Sequence, residues 1–432
     1  MKKICGLPIP HFKNTAGNRP EAIPTPPEVT LNMKEIAGDP ARLAVSPGDS
    51  VAVGQVVGVA NGARSSPVHA SISGVVKSIS EIDPNTGKEA VSVTITSDGK
   101  QSIFSGITPP KVKALEQFLV AVQDSGVIGL GGGGYPTSHK LTLKASVKLD
   151  YILINGAECE PYITTDTRTM LDNAQDVVDG ALLMQQYLDP GKILICIENN
   201  KPEAIKKLQG LTMALPGISV RVLPANYPQG ERKILVYNVT GRIVPEGRRL
   251  PDVGCVVINC TTVAVFAQYI KTGMPLVSRC VTVDGSAVNT PKNVIAPIGT
   301  PIGAIFDFCG GLKEDCKKIL MGGAMMGKAV PNLAMPTLKI TGALIALSEK
   351  DARPVEPTAC IKCGRCVSKC PMGLMPSFIE DAFEMKNIEL LKKYKAGMCA
   401  ECSSCAYLCP SKRPLAQVMS LAKEMIWKEG RK

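Results

Sequence analysis

The sequence predicts a multidomain α/β protein, and three observations carry that reading. Short β-type segments fill the first hundred residues, helical segments alternate with apolar strands from Pro110 onward, and half of the sixteen cysteines gather in the last eighty residues. A chain of 432 residues suits roughly two to four domains of about 100–200 residues each. With 45% hydrophobic and 20% charged residues, its composition excludes a disordered or collagen-like chain.

The first predicted domain, residues 1–109, is a small all-β unit. Its strands are read from ARLAVSPGDSVAVGQVVGVANG, SSPVHASISGVVKSISEID and EAVSVTITSDG, where alternation and turn residues set short strands. The pattern V-x-P-G-D-x-V-x-x-G-Q-x-V, followed by S-G-x-V, resembles the barrel-sandwich fold of lipoyl and biotinyl carriers. Where those carriers hold their modified lysine, this chain has Asn61-Gly62-Ala63-Arg64, so docking is expected in place of covalent carriage.

Residues 110–275 form the second predicted domain, an α/β layer. VKALEQFLVAVQDSG and RTMLDNAQDVVDGALLMQQYL read as helices, YILINGA, KILICIEN and GCVVINCTT as buried strands, and VAVFAQYIKTG as a final helix. Residues 276–350 return to short strands (CVTVDGSAV, KNVIAPIGT, TLKITGALIALS) and form a third, β-rich domain. A linker, Asp351–Pro357, opens the fourth, residues 351–432.

The apolar run Val253–Ile270 is broken by Asn259, Thr261, Thr262 and Gln268 and falls short of the ~18 uninterrupted residues a span requires, so no membrane span of its own is expected. The opening MKKICGLPIPHF lacks the apolar stretch of a secretory signal, which places the protein in a reducing cytosol. Net charge is +11, but basic residues are spread along the chain, and no nucleic-acid partner is expected. Their tightest excess lies in Ser411–Lys432, which reads as a solvated helix face or a docking tail.

In a reducing compartment, clustered thiols read as metal ligands. The remaining cysteines (Cys5, Cys159, Cys196, Cys255, Cys260, Cys280, Cys309 and Cys316) are scattered and mostly read as small buried apolar residues, with Cys159 set apart by its acidic neighbours. Cys360, Cys363, Cys366 and Cys370-Pro371 share their spacing with Cys399, Cys402, Cys405 and Cys409-Pro410. In two-cluster ferredoxin arrangements the fourth cysteine of such a run serves the other cluster. Cys360, Cys363, Cys366 and Cys409 are therefore expected to hold one [4Fe–4S] cluster, and Cys399, Cys402, Cys405 and Cys370 the other. Structural zinc is the competing reading, and neither run has the long insert between CxxC pairs that zinc ribbons use.

Gly129-Leu130-Gly131-Gly132-Gly133-Gly134-Tyr135-Pro136-Thr137, with Lys140 beyond it, is either a glycine-rich turn or a backbone cradle for a phosphate or flat ring. It is a poor dinucleotide fingerprint, because a helix precedes it and Pro136 falls inside the expected helix. Downstream, YILIN runs into Gly156-Ala157-Glu158-Cys159-Glu160-Pro161-Tyr162, placing two glutamates at the strand end where α/β sheets bind ligands. No activated nucleophile or histidine pair accompanies them, which argues against hydrolysis and for hydrogen bonding to a redox ring.

These motifs, together with PHFK, VHASISGVV, YPQGERKIL and GGAMMG in the same order, resemble the RnfC family of Rnf electron-transport complexes over nearly the full length. The middle also resembles the flavoprotein subunit of respiratory complex I. The resemblance implies a barrel-sandwich β domain, a Rossmann-like flavin and NADH α/β domain, a β-grasp module and a two-cluster ferredoxin-like helical domain. It implies that Gly129, Gly131, Gly132, Gly134 and Lys140 cradle FMN. Asn155, Glu158 and Glu160 would line the flavin, with the two glutamates as the catalytic pair, and Gly230, Glu231, Asn259 and Thr262 would close the nucleotide side. The implied activity is electron exchange between NAD(H), FMN and two [4Fe–4S] clusters. The implied partners are the other Rnf subunits, both membrane subunits and the ferredoxin-like B component, coupled to Na⁺ or H⁺ translocation at the cytoplasmic membrane face, where the chain is peripheral. The opening Gly6-Leu7-Pro8-Ile9-Pro10 departs from the family's G-G-I-H-P-P, and Thr261 and Ala324 replace its usual Gly and Pro. A soluble RnfC-like donor to another reductase is the alternative.

Overall fold

The computed structural model describes residues 6–82 and 89–430; Cys5 and the last two basic residues of the tail lie outside them. In the N-terminal unit, β2 (Glu28–Asn32), β4 (Ser50–Val51), β7 (Gly74–Ile82) and β8 (Glu89–Ser97) form one antiparallel sheet in the order β2-β8-β7-β4. β3 (Arg42–Leu43), β5 (Val56–Val59) and β6 (Val68–His69) form a second. Alternation along these strands sends Val29, Leu31, Val76, Val93 and Ile95 inward. A Cβ on Gly74 would stand 1.9 Å from the Thr96 carbonyl oxygen, so only glycine lets these strands close. The tip predicted at Asn61–Arg64 is docked: Gln123 donates to the carbonyls of Gly62 (3.1 Å) and Ser65 (3.2 Å), and the Asp39 amide to that of Arg64 (2.8 Å).

The second unit is a parallel sheet of β9 (Tyr151–Gly156), β10 (Lys192–Glu198), β11 (Ile218–Leu223) and β12 (Cys255–Asn259), ordered β11-β10-β9-β12. A strand covered on both faces is apolar in its interior, as Ile152, Leu153 and Ile154 are. Ile152 and Ile154 pack on one side with α1 (Leu115–Asp124), α4 (Ala174–Leu188), α5 (Pro202–Thr212) and α7 (Cys260–Thr272). Leu153 packs on the other with α6 (Arg232–Thr240). The single helix expected over RTMLDNAQDVVDGALLMQQYL is two, α3 (Thr165–Asp172) and α4, broken where Asn173 leaves helical geometry at φ −116°, ψ 30°. Asn bonds readily to its own backbone and favours such ends. The short α2 (Thr137–Leu141) follows the glycine loop.

The third unit is not purely β. Its sheet runs β1-β14-β13-β17-β15-β16, from β1 (Glu21–Ala22), β13 (Ser278–Asp284), β14 (Lys292–Pro297), β15 (Cys316–Met321), β16 (Lys328–Ala329) and β17 (Ala343–Ser348). α8 (Ile302–Phe308) covers it through Ile302, Ile305 and Phe306. β1 arrives from the N-terminal segment and pairs in parallel with β14. The C-terminal unit is helical: α9 (Glu349–Ala352), α10 (Arg365–Ser368), α11 (Pro376–Glu384), α12 (Ile388–Lys393), α13 (Ser404–Leu408) and α14 (Leu415–Glu429). Among the described residues, no helix is long and apolar enough to cross a membrane. Cys196, Cys255, Cys260 and Cys309 are buried apolar fillers, as expected.

At Gly180 in α4 a Cβ would lie 2.4 Å from Val263 Cγ1 and 2.8 Å from its carbonyl oxygen, so α4 and α7 meet with no room between them. Gly180→Leu should destabilise the protein by about 1–3 kcal/mol. A thermal melt showing no loss would contradict this packing.

Candidate cofactor sites

The glycine loop leaves the body through an isolated bridge between Ile128 and Pro136 and is closed by Gly129 N–H to Tyr135 O (2.8 Å) and Gly134 N–H to Gly129 O (3.0 Å). Gly132 and Gly134 take φ of +94° and +61°, which glycine adopts without strain. From the first turn of α7, the Thr262 hydroxyl accepts the Leu130 N–H at 2.9 Å. Asn259 caps α7 by accepting the Thr262 N–H at 3.1 Å, and a Cβ on Gly131 would sit 3.2 Å from its Nδ2. Gly131, Gly132 and Gly133 are exposed, and a Cβ on either of the last two would meet open space. Bare backbone therefore faces outward here, suited to an anion or a ring edge.

Lys140 follows the loop on α2, and Arg232 lies near enough to act on its amine. Burial, with the neighbouring Arg232 charge second, pushes the half-buried Lys140 amine down to about 8. Neither Lys140 nor Arg232 has an ion-pair partner among the described residues. Such a pair beside open glycine backbone fits a phosphate, whose charge would restore the proton on Lys140.

Asn155 and Asn259 lie in register at the carboxyl ends of β9 and β12. Asn155 donates to the Gly230 carbonyl at 2.9 Å, and Glu231 caps α6 by accepting the N–H groups of Lys233 (2.8 Å) and Ile234 (3.0 Å). Glu158, at φ +50°, caps α3: its carboxylate accepts the N–H groups of Asp166 (2.6 Å) and Thr167 (3.1 Å) and the Thr167 hydroxyl. Glu160 accepts the Met325 N–H at 3.1 Å, and burial raises its pKa. The two glutamates thus stand at the strand end with their carboxylates engaged by α3 and by the GGAMMG loop.

Several residues at this site have roles that the sequence reading assigns to none of them. Lys13 of PHFK donates to the carbonyls of Glu158 (2.8 Å), Glu160 (2.8 Å) and Ile163 (2.6 Å), pinning the acidic loop from outside the sheet. Burial pushes Asp166 up to about 6, while its carboxylate takes Asn259 Nδ2 (2.7 Å) and the Thr261 hydroxyl (2.6 Å). Thr261, which departs from the family pattern, therefore helps orient Asn259. Glu198, fully buried, is pushed up by burial to about 7 beside Lys201, whose amine donates to the Ala157 carbonyl at 2.6 Å.

The two cysteine runs share one backbone. Lys362 and Gly364 have φ of +54° and +72°, and Glu401 and Ser403, at the equivalent positions, +54° and +61°. Each loop therefore curls around its central cysteine before a short helix, α10 or α13. Cys370 of the first run joins Cys399, Cys402 and Cys405 in lining one cavity, with Pro371, Met372 and Met419. N–H groups of Glu401 and Leu374 point at the sulfurs of Cys399 (3.3 Å) and Cys370 (3.4 Å). Burial pushes the free thiols of Cys399 and Cys405 up to about 11 and 12, so a cationic centre is what would hold them as thiolates. Cys360 and Cys363 are exposed, and Cys366 and Cys409 half-buried. Thr358 N–H to Ser411 O (3.0 Å) and the Ser411 hydroxyl to Ala359 O (2.9 Å) tie the first run to the segment just beyond Cys409. No three His, Cys, Asp or Glu side chains among the described residues converge on a single-ion site.

Four family profiles match in chain order: the RnfC barrel sandwich hybrid domain at 3–100, the Nuo51 FMN-binding domain at 122–268, the SLBB domain at 280–329 and the 4Fe-4S dicluster domain at 359–412. The C component of the proton-translocating ferredoxin:NAD(+) oxidoreductase complex of Clostridium ljungdahlii is 37% identical over 85% of this chain and 81% of that protein. The corresponding component of the Na(+)-translocating complex of Acetobacterium woodii is 36% identical over 86% and 85%. Its counterpart in the ion-translocating oxidoreductase complex of Rhodobacter capsulatus is 34% identical over 85% and 72%. The chain belongs to the RnfC family. An NAD+-reducing [NiFe]-hydrogenase shares the fold at a TM-score of 0.50 and 16% identity, over 74% of this chain and 61% of that one. As an RnfC protein, the chain combines an FMN-binding domain with a 4Fe-4S dicluster domain on a mixed α/β framework.

If an FMN phosphate pairs with Lys140, its charge raises the amine above about 8, and FMN affinity is then expected to hold below pH 8 and to weaken by up to about tenfold per pH unit above it. Lys140→Met should bind more weakly, with a flat profile. Fluorescence titrations across that range check this, and an unchanged profile in the variant would contradict it.

Proposed function

We propose that this RnfC chain is the NADH-oxidising and NAD-reducing subunit of an Rnf complex, passing electrons between NAD(H), FMN and two [4Fe–4S] clusters. Ferredoxin-linked membrane subunits, together with the ferredoxin-like B component, take or supply those electrons, coupled to Na⁺ or H⁺ translocation, with the chain peripheral on the cytoplasmic face. The observation that carries this reading is a contact between units. The Tyr227 hydroxyl lies 2.8 Å from the Cys402 carbonyl oxygen and 3.4 Å from Glu160 Oε1, so the second cysteine loop rests on the strand end of the FMN-binding domain.

In this reading, residues 110–275 are the Rossmann-like FMN and NADH unit, between the barrel-sandwich of 1–109 and the β-grasp module of 276–350, with 351–432 as the two-cluster domain. The exposed amides of Gly131 and Gly132, with Lys140 and Arg232, take the phosphate, while those of Gly129 and Gly134, expected to share in the cradle, instead close the loop onto the Tyr135 and Gly129 carbonyls. Asn155 and Asn259 project from adjacent strands toward the ring, held by Gly230 and Asp166. Thr262 fixes the loop, Glu231 fixes α6, and Glu158 with Lys13 fixes α3 beneath the ring. Bound FMN supplies the conversion between a hydride and single electrons. Protein groups set its position and exclude water. Cys399, Cys402, Cys405 and Cys370 hold the cluster next to the flavin, and Cys360, Cys363, Cys366 and Cys409 the exposed outlet.

An anaerobic NADH titration of the flavin- and iron-loaded chain should bleach both the flavin and the iron–sulfur absorption. Loaded protein whose bands do not respond to NADH would overturn the reading.

A further inference from the structure

A groove of about 560 Å³ opens beside Leu149 and Gly191, just before β9 and β10, so it lies at the strand end opposite Asn155 and the cofactor site. Leu115 and Leu119 of α1, Leu141 at the end of α2, Leu149 and Tyr187 of α4 give it an apolar lining. Its uncharged polar side chains are engaged elsewhere: the Tyr187 hydroxyl donates to the Val112 carbonyl at 3.1 Å, and the Thr142 hydroxyl to that of Ser138 at 2.9 Å. Three charged side chains remain, Lys144, Lys148 and Asp189, all exposed and none with an ion-pair partner or a side-chain hydrogen bond among the described residues. Both cations come from the segment between α2 and β9, whereas Asp189 caps the carboxyl end of α4, where the helix dipole is also negative.

We propose that this groove is a binding site for a single-chain anionic amphiphile, a fatty acid, with its carboxylate at Lys144 and Lys148 and its acyl chain along the leucines. The inference does not rest on the proposed function, since none of these residues belongs to the cofactor or cluster sites. Two unpaired cations on one wall complement a single anion, and the negative end of α4 on the other wall sets which way the ligand lies. The volume falls within the ~300–1,000 Å³ of small-molecule pockets, which are also mostly apolar with a few placed polar groups. An acidic helix of a partner protein would also meet the lysines. At about 10–12 Å across, however, it would fill this volume in under about two turns, too few for repeated anchors. The acyl chain is therefore the occupant favoured here.

Isothermal titration calorimetry of the full chain with saturated fatty acids from octanoate to tetradecanoate, each below its micelle concentration, tests this. One molecule should bind per chain, with affinity rising about threefold to fourfold per added CH₂ until the groove is full and levelling beyond it. Dodecyltrimethylammonium, which matches dodecanoate in chain length and opposes it in charge, should bind at least about tenfold more weakly. Lys144→Glu/Lys148→Glu should weaken dodecanoate binding by at least about tenfold. Ala145→Phe, which fills the groove from an exposed position, should abolish it, and both variants should melt as the wild type does. Lys206→Glu, on α5 and outside the groove, should bind as wild type. Absence of saturable dodecanoate binding, equal affinity for the cationic amphiphile, or binding unchanged in both groove variants would each overturn the proposal. A synthetic Glu/Leu amphipathic helix that binds through Lys144 and Lys148 where dodecanoate does not would also overturn it, and would make the groove a protein-docking surface.

Discussion

The hydrogen bond from Tyr227 to the Cys402 carbonyl, at 2.8 Å, joins parts of the chain that are remote in sequence. Tyr227 is 1% exposed and sits in a small core with Leu7, Ile9, Cys159 and Cys402. Leu7 pairs with it through backbone bonds of 2.7 and 2.9 Å. Glu160 reaches the same ring and holds the GGAMMG loop of the third unit. A buried hydroxyl or carbonyl left without its partner costs about 1–3 kcal/mol, so this junction favours one relative placement of the cysteine loop and the sheet. In the proposed function, electron passage between the flavin and the cluster of the second loop depends on that placement.

A second set of buried charges builds the floor of the glycine loop. Lys339, 2% exposed, donates to the carbonyls of Pro67 (2.6 Å) and Gly126 (2.9 Å), stitching the third unit to the barrel-sandwich and to the turn before the loop. Arg279 of β13 reaches the Leu130 carbonyl at 3.4 Å. The glycine loop is thus backed by side chains from a different domain, which explains why a flexible composition holds one shape.

What was legible in the sequence is what local spacing encodes. The cysteine intervals set two loops of equal backbone, and unbroken apolar runs marked β9, β10 and β12. Glycine density marked a place where backbone is bare. The roles of Lys13, Tyr227, Asp166 and Lys201 were not legible, even where Lys13 and Tyr227 lie in quoted motifs, because each acts on a partner brought near by the fold: Lys13 reaches carbonyls some 150 positions away, such as that of Ile163. The break between α3 and α4 was not legible because it rests on the backbone of one residue, Asn173, at φ −116° and ψ 30°. α8 was hidden among short strands by its length of seven residues.

The order in which the clusters fill tests this junction most directly. In a protein with Cys399, Cys402 and Cys405 replaced by serine, electron paramagnetic resonance should show the first-run cluster reduced by dithionite but no longer by NADH. With Cys360, Cys363 and Cys366 replaced instead, NADH should still reduce the cluster that remains. Reduction of the first-run cluster by NADH at the wild-type rate without its neighbour would contradict the placement of the second loop between the flavin site and the outlet.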